Sequence, residues 1–139
     1  MLLLDTHVWI WSVEGDARKV GRRARHLLAR AGSEEGIRIS PATVFEVTAL
    51  HTAGRLRLAH PLEQWIRHAL EWPGVRIAEL SPAIAIDAGS IPRSALADPL
   101  DRLLVATARH LDATFLTRDS QILEYASETQ NVRVHDAGV

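Results

Sequence analysis

Short apolar segments alternate with longer segments of helical character along the chain, and this alternation constrains the fold more than any other feature of the sequence. The apolar segments predict strands at residues 2–4, 36–40, 75–80, 113–117 and 132–136. The first of them, Leu-Leu-Leu, is continuously apolar, as expected for a strand that is buried on both faces of a parallel sheet. Strands that alternate with helices favour a largely parallel sheet with helices on both of its faces.

Helices are predicted between these strands from the spacing of apolar residues and from start signals. Ser40–Pro41 and Ser81–Pro82 each place a serine N-cap before a proline at the first helical position. In the segment that Asp98 opens, apolar residues recur at helical spacing. The predicted helices span residues 7–12, 18–31, 41–51, 61–72, 81–91 and 98–111, with a further short helix after Asp119.

Composition restricts the class of protein. The 139 residues are 47% hydrophobic and 24% charged, which predicts one globular domain spanning residues 1–139. No apolar run approaches the roughly 20 residues of a membrane span. The absence of cysteine excludes disulfide and thiolate chemistry, and together with the lack of an export signal it predicts a cytoplasmic protein. With a net charge of −1, a nucleic acid would have to be held by a local patch or a bound metal.

Acidic residues gather near the predicted carboxyl ends of the strands. Asp5 directly follows the first strand, and Asp119 follows the fourth by two residues. The full group is Asp5, Glu46, Asp98, Asp101 and Asp119. Because the carboxyl ends of parallel strands share one edge of a sheet, we expect these carboxylates to converge on one crevice.

A crowded carboxylate cluster has a specific chemical consequence. Like charges a few ångström apart oppose joint ionisation unless a cation lies between them. A site made only of oxygen ligands, in a chain without cysteine, suits Mg²⁺ or Mn²⁺ better than Zn²⁺. Such ions activate water and neutralise a phosphate under attack, so the cluster predicts phosphodiester hydrolysis.

Each acid also has a purely structural explanation. Asp5, Asp98 and Asp119 all stand at N-cap positions of predicted helices. Asp101 would be favoured in the first turn of its helix by the helix dipole. Glu46 could be an exposed helix residue, although its neighbours are mostly apolar. The convergence of all five acids, and no single one of them, favours a functional site.

Four stretches resemble the acidic motifs of PIN-domain ribonucleases, in the spacing typical of VapC-type toxins of bacterial toxin–antitoxin pairs. They are LLLDTHVWIW, ISPATVFEVTAL, DPLDRLLVATARH and FLTRDSQILEY. The resemblance extends over nearly the whole chain and implies a three-layer α/β/α PIN-like domain with a five-stranded parallel sheet. The family's catalytic acids correspond to Asp5, Glu46, Asp101 and Asp119, with Asp98 as the added acid of a DPxDR subgroup.

This resemblance also implies an activity and partners. The protein would be a Mg²⁺-dependent endoribonuclease, with Mn²⁺ as a substitute ion. The metal would be held by Asp5, Asp98, Asp101 and Asp119. The toxin would be a homodimer, and a VapB-type antitoxin would inhibit it by filling the active-site groove with its carboxyl-terminal segment. Where the family often has small or aliphatic residues after the first motif, this chain has Trp9 and Trp11.

Several residues are candidate contacts for the RNA. Those that adjoin the acidic motifs are Thr6, Arg102, Thr117 and Arg118. The two arginines would bind phosphate or, alternatively, would pair with the acids. Residues 17–33 contain cations and no acid: Arg18, Lys19, Arg22, Arg23, Arg25 and Arg30. They would form a phosphate-facing surface or a solvated basic face. Trp9 and Trp11 are predicted to anchor the core or an interface, with base stacking as the alternative.

Other functions come from different classes of protein. A receiver-like signalling module also binds Mg²⁺ with acids at the carboxyl ends of a parallel sheet. Its phosphoryl chemistry needs a lysine late in the chain, whereas the only lysine here is Lys19. A catalytically silent PIN-fold binding protein is a further alternative, and the presence of every acid argues against it. Within the enzyme class, a nuclease directed at DNA stays open.

Overall fold

A parallel sheet of five strands forms the centre of the computed structural model, which describes residues 1–139. The strands are β1 (Leu2–Leu4), β2 (Ile37–Ile39), β3 (Val75–Ile77), β4 (Thr114–Thr117) and β5 (Val134–Asp136). Their order is β3-β2-β1-β4-β5, and every neighbouring pair is parallel. The chain builds from β1 towards one edge of the sheet and then crosses to the other side of β1. A topological switch point, where open α/β sheets bind ligands, therefore lies between the carboxyl ends of β1 and β4.

Helices cover both faces of this sheet. They are α1 (Thr6–Glu14), α2 (Arg22–Ser33), α3 (Pro41–Thr52), α4 (Leu62–Leu70), α5 (Pro82–Ser90), α6 (Pro99–Leu111) and α7 (Ser120–Thr129). The predicted three-layer α/β/α fold with a five-stranded parallel sheet is confirmed. None of the helices has the length and apolar character that crossing a bilayer requires.

The central strand β1 explains why the sequence builds two cores. Leu2 and Leu4 lie in one core, together with Trp9 of α1 and side chains of α2 and α4. Leu3 lies in the other core, with Phe115 of β4 and side chains of α6 and α7. Because successive side chains of a strand point to opposite faces, a strand between two helical layers needs an apolar residue at every position.

The start of α2 differs from the sequence prediction. The apolar spacing predicts a helix from residue 18, whereas α2 begins at Arg22. Gly21 is extended, with φ −67° and ψ 166°, and its backbone N–H donates to the carbonyl of Ala137 at 2.7 Å. A Cβ atom at Gly21 would lie 2.5 Å from the backbone of Gly138 and Val139. This close approach of a distant segment holds the chain extended ahead of α2.

Candidate active site

Asp5 stands where β1 ends and α1 begins. Its backbone N–H donates to the carbonyl of Leu116 at 3.0 Å, which ties it to β4. Its Oδ1 accepts a hydrogen bond from the backbone N–H of Thr6 at 2.8 Å, and its Oδ2 accepts one from the hydroxyl of Thr117 at 2.6 Å. Asp5 is the N-cap of α1 and also a carboxylate held at the switch point, so its structural and functional explanations do not exclude each other.

The hydroxyl of Thr117 connects two of the predicted acids. It donates to Asp5, and it accepts a hydrogen bond from the backbone N–H of Asp119 at 3.0 Å. Asp119 in turn caps α7, where its Oδ1 accepts from the N–H groups of Gln121 at 2.8 Å and Ile122 at 3.1 Å. Thr117 is fully buried. It is therefore a positioning residue for both acids and presents no surface to a substrate.

Three further acids come from α6 and α3. Asp98 is exposed and caps α6, because its Oδ1 accepts from the N–H of Leu100 at 2.9 Å. Asp101 is half-buried in the first turn of α6, and its carboxylate has no hydrogen-bond partner. Glu46 is half-buried on α3, a helix that contacts both α1 and α6. Like Asp101, it has no hydrogen-bond partner.

We refer to these five carboxylates as the acidic centre, and the pKa values of two of them, Asp5 and Asp101, are raised. Burial is the largest cause of a rise in the pKa of Asp101 to about 8. The remaining causes also raise this pKa, and all are carboxylates: those of Asp98, Asp5, Asp119 and Glu46. Burial likewise raises the pKa of Asp5, although hydrogen bonds from Thr117 and Thr6 oppose part of the increase. No cation is among the causes of either shift, so the negative charges converge without compensation.

None of the acids in the centre forms an ion pair. The ion pairs of the structure involve other acids: Asp16, Glu35, Asp87 and Asp112. Arg102 and Arg118, the two arginines beside the acidic motifs, pair with no acid at all. Arg102 is half-buried and its Nε lacks a hydrogen-bond partner, whereas Arg118 is exposed. Thr6 is fully buried with an unpartnered hydroxyl, so it offers a substrate no exposed surface.

A divalent metal ion fits this set of donors by its chemistry. The donors are carboxylate oxygens, which Mg²⁺ and Mn²⁺ prefer, and a bound cation would reverse the repulsion that raises the pKa of Asp101. In the arrangement present, no three acidic or histidine side chains are placed as ligands of one ion. No hydrogen bond fixes the carboxylates of Asp101 and Glu46. The centre is therefore a set of carboxylates near enough to Asp101 to raise its pKa, and not a finished coordination sphere.

The bridge through Thr117 was not identified from the sequence. Its local half is visible there, because a threonine two residues before Asp119 is placed to accept from that residue's backbone N–H. The contact with Asp5 joins residues 112 positions apart. No local pattern indicates it, and only the pairing of β1 with β4 brings the two side chains together.

Fold and site together define a class of protein, namely an α/β domain with an uncompensated acidic centre at the switch point of a parallel sheet. Residues 2–128 match the PIN domain family. The chain belongs to that family and, within it, to the VapC type. Ribonuclease VapC22 of Mycobacterium tuberculosis (strain ATCC 25618 / H37Rv) is 30% identical over 122 residues, which cover 87% of this chain and 88% of the relative.

Solved structures share the same fold at lower sequence identity. A chain of VapBC2 from Rickettsia felis, bound to a DNA fragment from their promoter, superposes with a TM-score of 0.66 at 15% identity and covers 97% of both chains. A chain of DNA-bound VapBC from Salmonella typhimurium superposes with a TM-score of 0.63 at 20% identity, covering 97% of this chain and 96% of that one. Both likenesses extend over essentially the whole domain.

Proposed function

We propose that this chain is a divalent-metal-dependent endoribonuclease and the toxin of a toxin–antitoxin pair. The observation that carries the proposal is the acidic centre, where no cation balances the carboxylates and the pKa of Asp101 rises to about 8. Such a cluster becomes favourable when it binds a cation. The name of the relative VapC22 describes a ribonuclease, which supports RNA as the substrate. A receiver-like module is not consistent with membership of the PIN domain family.

In this proposal the acids have two roles. Those that hold Mg²⁺, or Mn²⁺ in its place, are Asp5, Asp98, Asp101 and Asp119. When bound, the ion activates water and neutralises charge on the attacked phosphate. Glu46, which is half-buried and free of hydrogen bonds, takes up the proton of the attacking water. Attack at phosphorus breaks one phosphorus–oxygen bond, and the leaving oxygen takes a proton from the solvent or the site.

Other residues of the chain position these groups and the substrate. Thr117 keeps Asp5 and Asp119 in register through its bridging hydroxyl. Arg102 and Arg118 adjoin the acids without pairing with them, so we assign them to phosphate oxygens of the RNA, which guanidinium groups bind well.

Cleavage assays test the proposal directly. The purified chain is incubated with single-stranded RNA, structured RNA and DNA, each in Mg²⁺, in Mn²⁺ and in EDTA. We expect RNA to be cut with either metal and to stay intact in EDTA, and sequencing of the new ends identifies the cleaved bond. Cleavage of DNA alone would favour the DNA-directed alternative. A folded protein that cuts none of these substrates would favour the catalytically silent one.

Asp98 allows capping to be separated from metal binding. Asparagine caps a helix about as well as aspartate, so Asp98→Asn keeps the bond to the N–H of Leu100 and removes only the charge. Because Asp98 is exposed, we expect a smaller loss of cleavage than for Asp101→Asn. An equal loss would make Asp98 an essential ligand, and an unchanged rate would remove it from the ligand set.

We further propose that the chain forms a homodimer in the cytoplasm and is inhibited there by a VapB-type antitoxin. The two solved relatives are described as VapBC assemblies, which supports such a partner. Phe45 on α3 and Ile86 on α5 are 64% and 71% exposed, and we assign these apolar side chains to self-association. Light scattering measures the mass of the free chain, and a monomer would contradict the dimer. Undiminished cleavage by the chain in complex with a VapB-type antitoxin that binds it would contradict inhibition.

A further inference from the structure

Two cations lie over one tryptophan ring next to the acidic centre. The Nζ of Lys19 is 5.7 Å from the centroid of the Trp11 ring, and the Cζ of Arg118 is 5.6 Å from it. Both distances are within the range of cation–π interactions. The ring of His7 also contacts this indole, with the two centroids 5.8 Å apart. We refer to Trp11, Lys19 and Arg118 as the tryptophan–cation cluster.

The guanidinium of Arg118 is held in place without being neutralised. Its Nη1 donates to the backbone carbonyl of Lys19 at 3.0 Å, and the Trp11 ring lies under it. Arg118 forms no ion pair, and the nearby Asp136 uses its Oδ1 to accept from the N–H of Gly138 at 2.8 Å. A carbonyl and an indole face orient a cation but leave its net charge available. The side chain is therefore fixed and still able to bind an anion.

Arg118 connects the tryptophan–cation cluster to the acidic centre along the chain. Arg118 lies between Thr117 and Asp119, the two residues whose hydrogen bonds organise the centre. Trp11 lies on α1, the helix that Asp5 caps. A polyanionic strand with one phosphate at the acidic centre would thus pass these cations on the α1 side of the sheet.

We propose that the tryptophan–cation cluster is a binding subsite for the single-stranded RNA that flanks the cleaved bond. Arg118 and Lys19 each bind a neighbouring phosphate of the strand. Trp11 is a positioning residue, because its ring holds both cations in the orientation that binds these phosphates. The inference rests on the proposed ribonuclease function, since it names a substrate contact of the same site.

A purely structural role would have a different signature. If Arg118 only tied the α1–α2 connection to the end of β4 through the carbonyl of Lys19, its removal would lower stability and leave RNA binding unchanged. Lys19 is also paired with Asp16 at 3.4 Å, but a partly exposed pair of this kind is weak and is readily exchanged for a phosphate. Binding measured as a function of salt separates the two roles.

The experiment measures RNA binding by the full chain carrying Asp101→Asn, so that the RNA stays uncut. Fluorescence anisotropy of a labelled single-stranded RNA gives Kd at several salt concentrations. Arg118→Gln and Lys19→Gln, each added to this background, should weaken binding about tenfold at low salt. Each should also reduce the slope of log Kd against log salt by about 0.7, the contribution of one phosphate contact on a single strand.

The role of Trp11 has to be tested by a substitution that leaves the charge unchanged. Trp11→Leu removes no cation, so we expect binding about threefold weaker from the loss of cation–π contacts. Trp11→Phe should restore part of the affinity because it keeps an aromatic face. In the otherwise native enzyme, Trp11→Leu should raise KM and leave kcat unchanged. Melting temperatures identify any variant that is not folded, and in that case Trp11→Phe and the exposed Arg118→Gln carry the test.

Arg133→Gln is the matched control. Arg133 pairs with Asp112 at 2.9 Å and precedes β5, at the amino ends of the strands. Arg133→Gln removes one positive charge, as Arg118→Gln does, but at the opposite end of the strands. It should leave Kd and the salt slope close to those of the parent protein.

The outcomes distinguish this inference from the function on which it rests. Parental Kd and slope for Arg118→Gln and Lys19→Gln would overturn the subsite, even if the native chain cuts RNA. The same result combined with weaker binding of the antitoxin would assign the cluster to a protein partner, and would also overturn it. Failure of the native chain to cut any RNA in Mg²⁺ or Mn²⁺ would instead overturn the proposed function.

Discussion

Asp87 and the carboxylates of the acidic centre have opposite electrostatic surroundings. Asp87 on α5 accepts two hydrogen bonds from Arg109 on α6, from Nη2 at 2.6 Å and from Nε at 3.2 Å, and the Nε2 of His110 lies 3.3 Å away. Arg109 also donates to the hydroxyl of Tyr125 on α7 at 3.3 Å. In this Asp87 network every charge has a partner. In the acidic centre, the carboxylate of Asp101 has only other carboxylates as its charged neighbours.

The Asp87 network and the acidic centre differ in what their carboxylates contribute to the fold. A partly buried carboxylate that is paired and hydrogen-bonded joins two helices, and removal of either partner would leave an uncompensated charge. Several carboxylates that come together without a cation repel one another and cost folding free energy, even where, like Asp98 and Asp119, they also cap helices. The Asp87 network therefore serves the fold, whereas the acidic centre carries a repulsion that a bound cation would relieve.

Removal of one charge from the acidic centre should produce the largest effect. Asp101→Asn and Asp5→Asn keep the side-chain volume and remove the charge, so each should lower kcat/KM for RNA at least about a hundredfold. Asp87→Asn is the matched change in the paired network, and it should keep activity close to that of the native chain. Steady-state kinetics measures both, with circular dichroism to verify folding. Full activity of a folded Asp101→Asn would remove that residue from the site.

Metal binding should stabilise the protein through one group of aspartates only. Mg²⁺ at about 100 times its dissociation constant should raise the free energy of unfolding by about 2.7 kcal/mol, which is several degrees in Tm for a domain of this size. Asp101→Asn should lose most of this gain, and Asp87→Asn should retain it. Calorimetry with and without the ion provides the measurement. Equal gains in all three proteins would locate the bound ion elsewhere.

When no metal is bound, a substitution in the Asp87 network should lower the free energy of unfolding more than one in the acidic centre. Asp87→Asn leaves the guanidinium of Arg109, whose side chain is 19% exposed, without its carboxylate, and should lower the free energy of unfolding by about 2 kcal/mol. Asp101→Asn should not lower the free energy of unfolding, because the change relieves repulsion among the carboxylates. Urea unfolding in EDTA compares the two. A loss for Asp101→Asn as large as that for Asp87→Asn would make Asp101 a structural residue.

The smallest effect is a dependence of metal-free stability on pH, because Asp101 is only half-buried and solvent screens its repulsion. The pKa of Asp101 rises from 3.8 to about 8 on folding, so between these values the folded state binds more protons than the unfolded chain. The stability that this difference in proton binding contributes is fully present below about pH 4 and is lost as the pH rises through about 8. We expect Tm in EDTA to fall by a few degrees over this range. The decline should be flatter in Asp101→Asn and unchanged in Asp87→Asn, and a Tm that rises with pH in the native chain would contradict the repulsion.

The sequence was sufficient where the physics is local or follows from topology. A continuously apolar segment before Asp5 indicated a buried central strand, and alternation with helices indicated parallel neighbours. Parallel strands share a carboxyl edge, so the gathering of acids there follows without any knowledge of packing. The N-caps Asp98 and Asp119 could likewise be predicted from the residues that follow them.

Features that join distant parts of the chain could not be predicted in this way. The extended conformation of Gly21 depends on residues 138–139, and the contact of Trp11 with Arg118 depends on the order of the strands. The two arginines left open a choice between phosphate and the acids, and only the side-chain geometry shows that neither pairs with a carboxylate. Pairing preferences of this kind depend on distances of an ångström or two, which a residue pattern does not encode.

The bridge through Thr117 also sets the order in which the site can come into being. Asp5 precedes Thr117 by 112 residues, and the Thr117 hydroxyl that its Oδ2 accepts from belongs to β4. A nascent chain that has not yet reached β4 contains β1 without one of its two neighbours and Asp5 without that partner. Domains fold as units once their elements are available. The acidic centre is therefore incomplete until β4 has been made, and the growing polypeptide carries no assembled site while it is still on the ribosome short of residue 117.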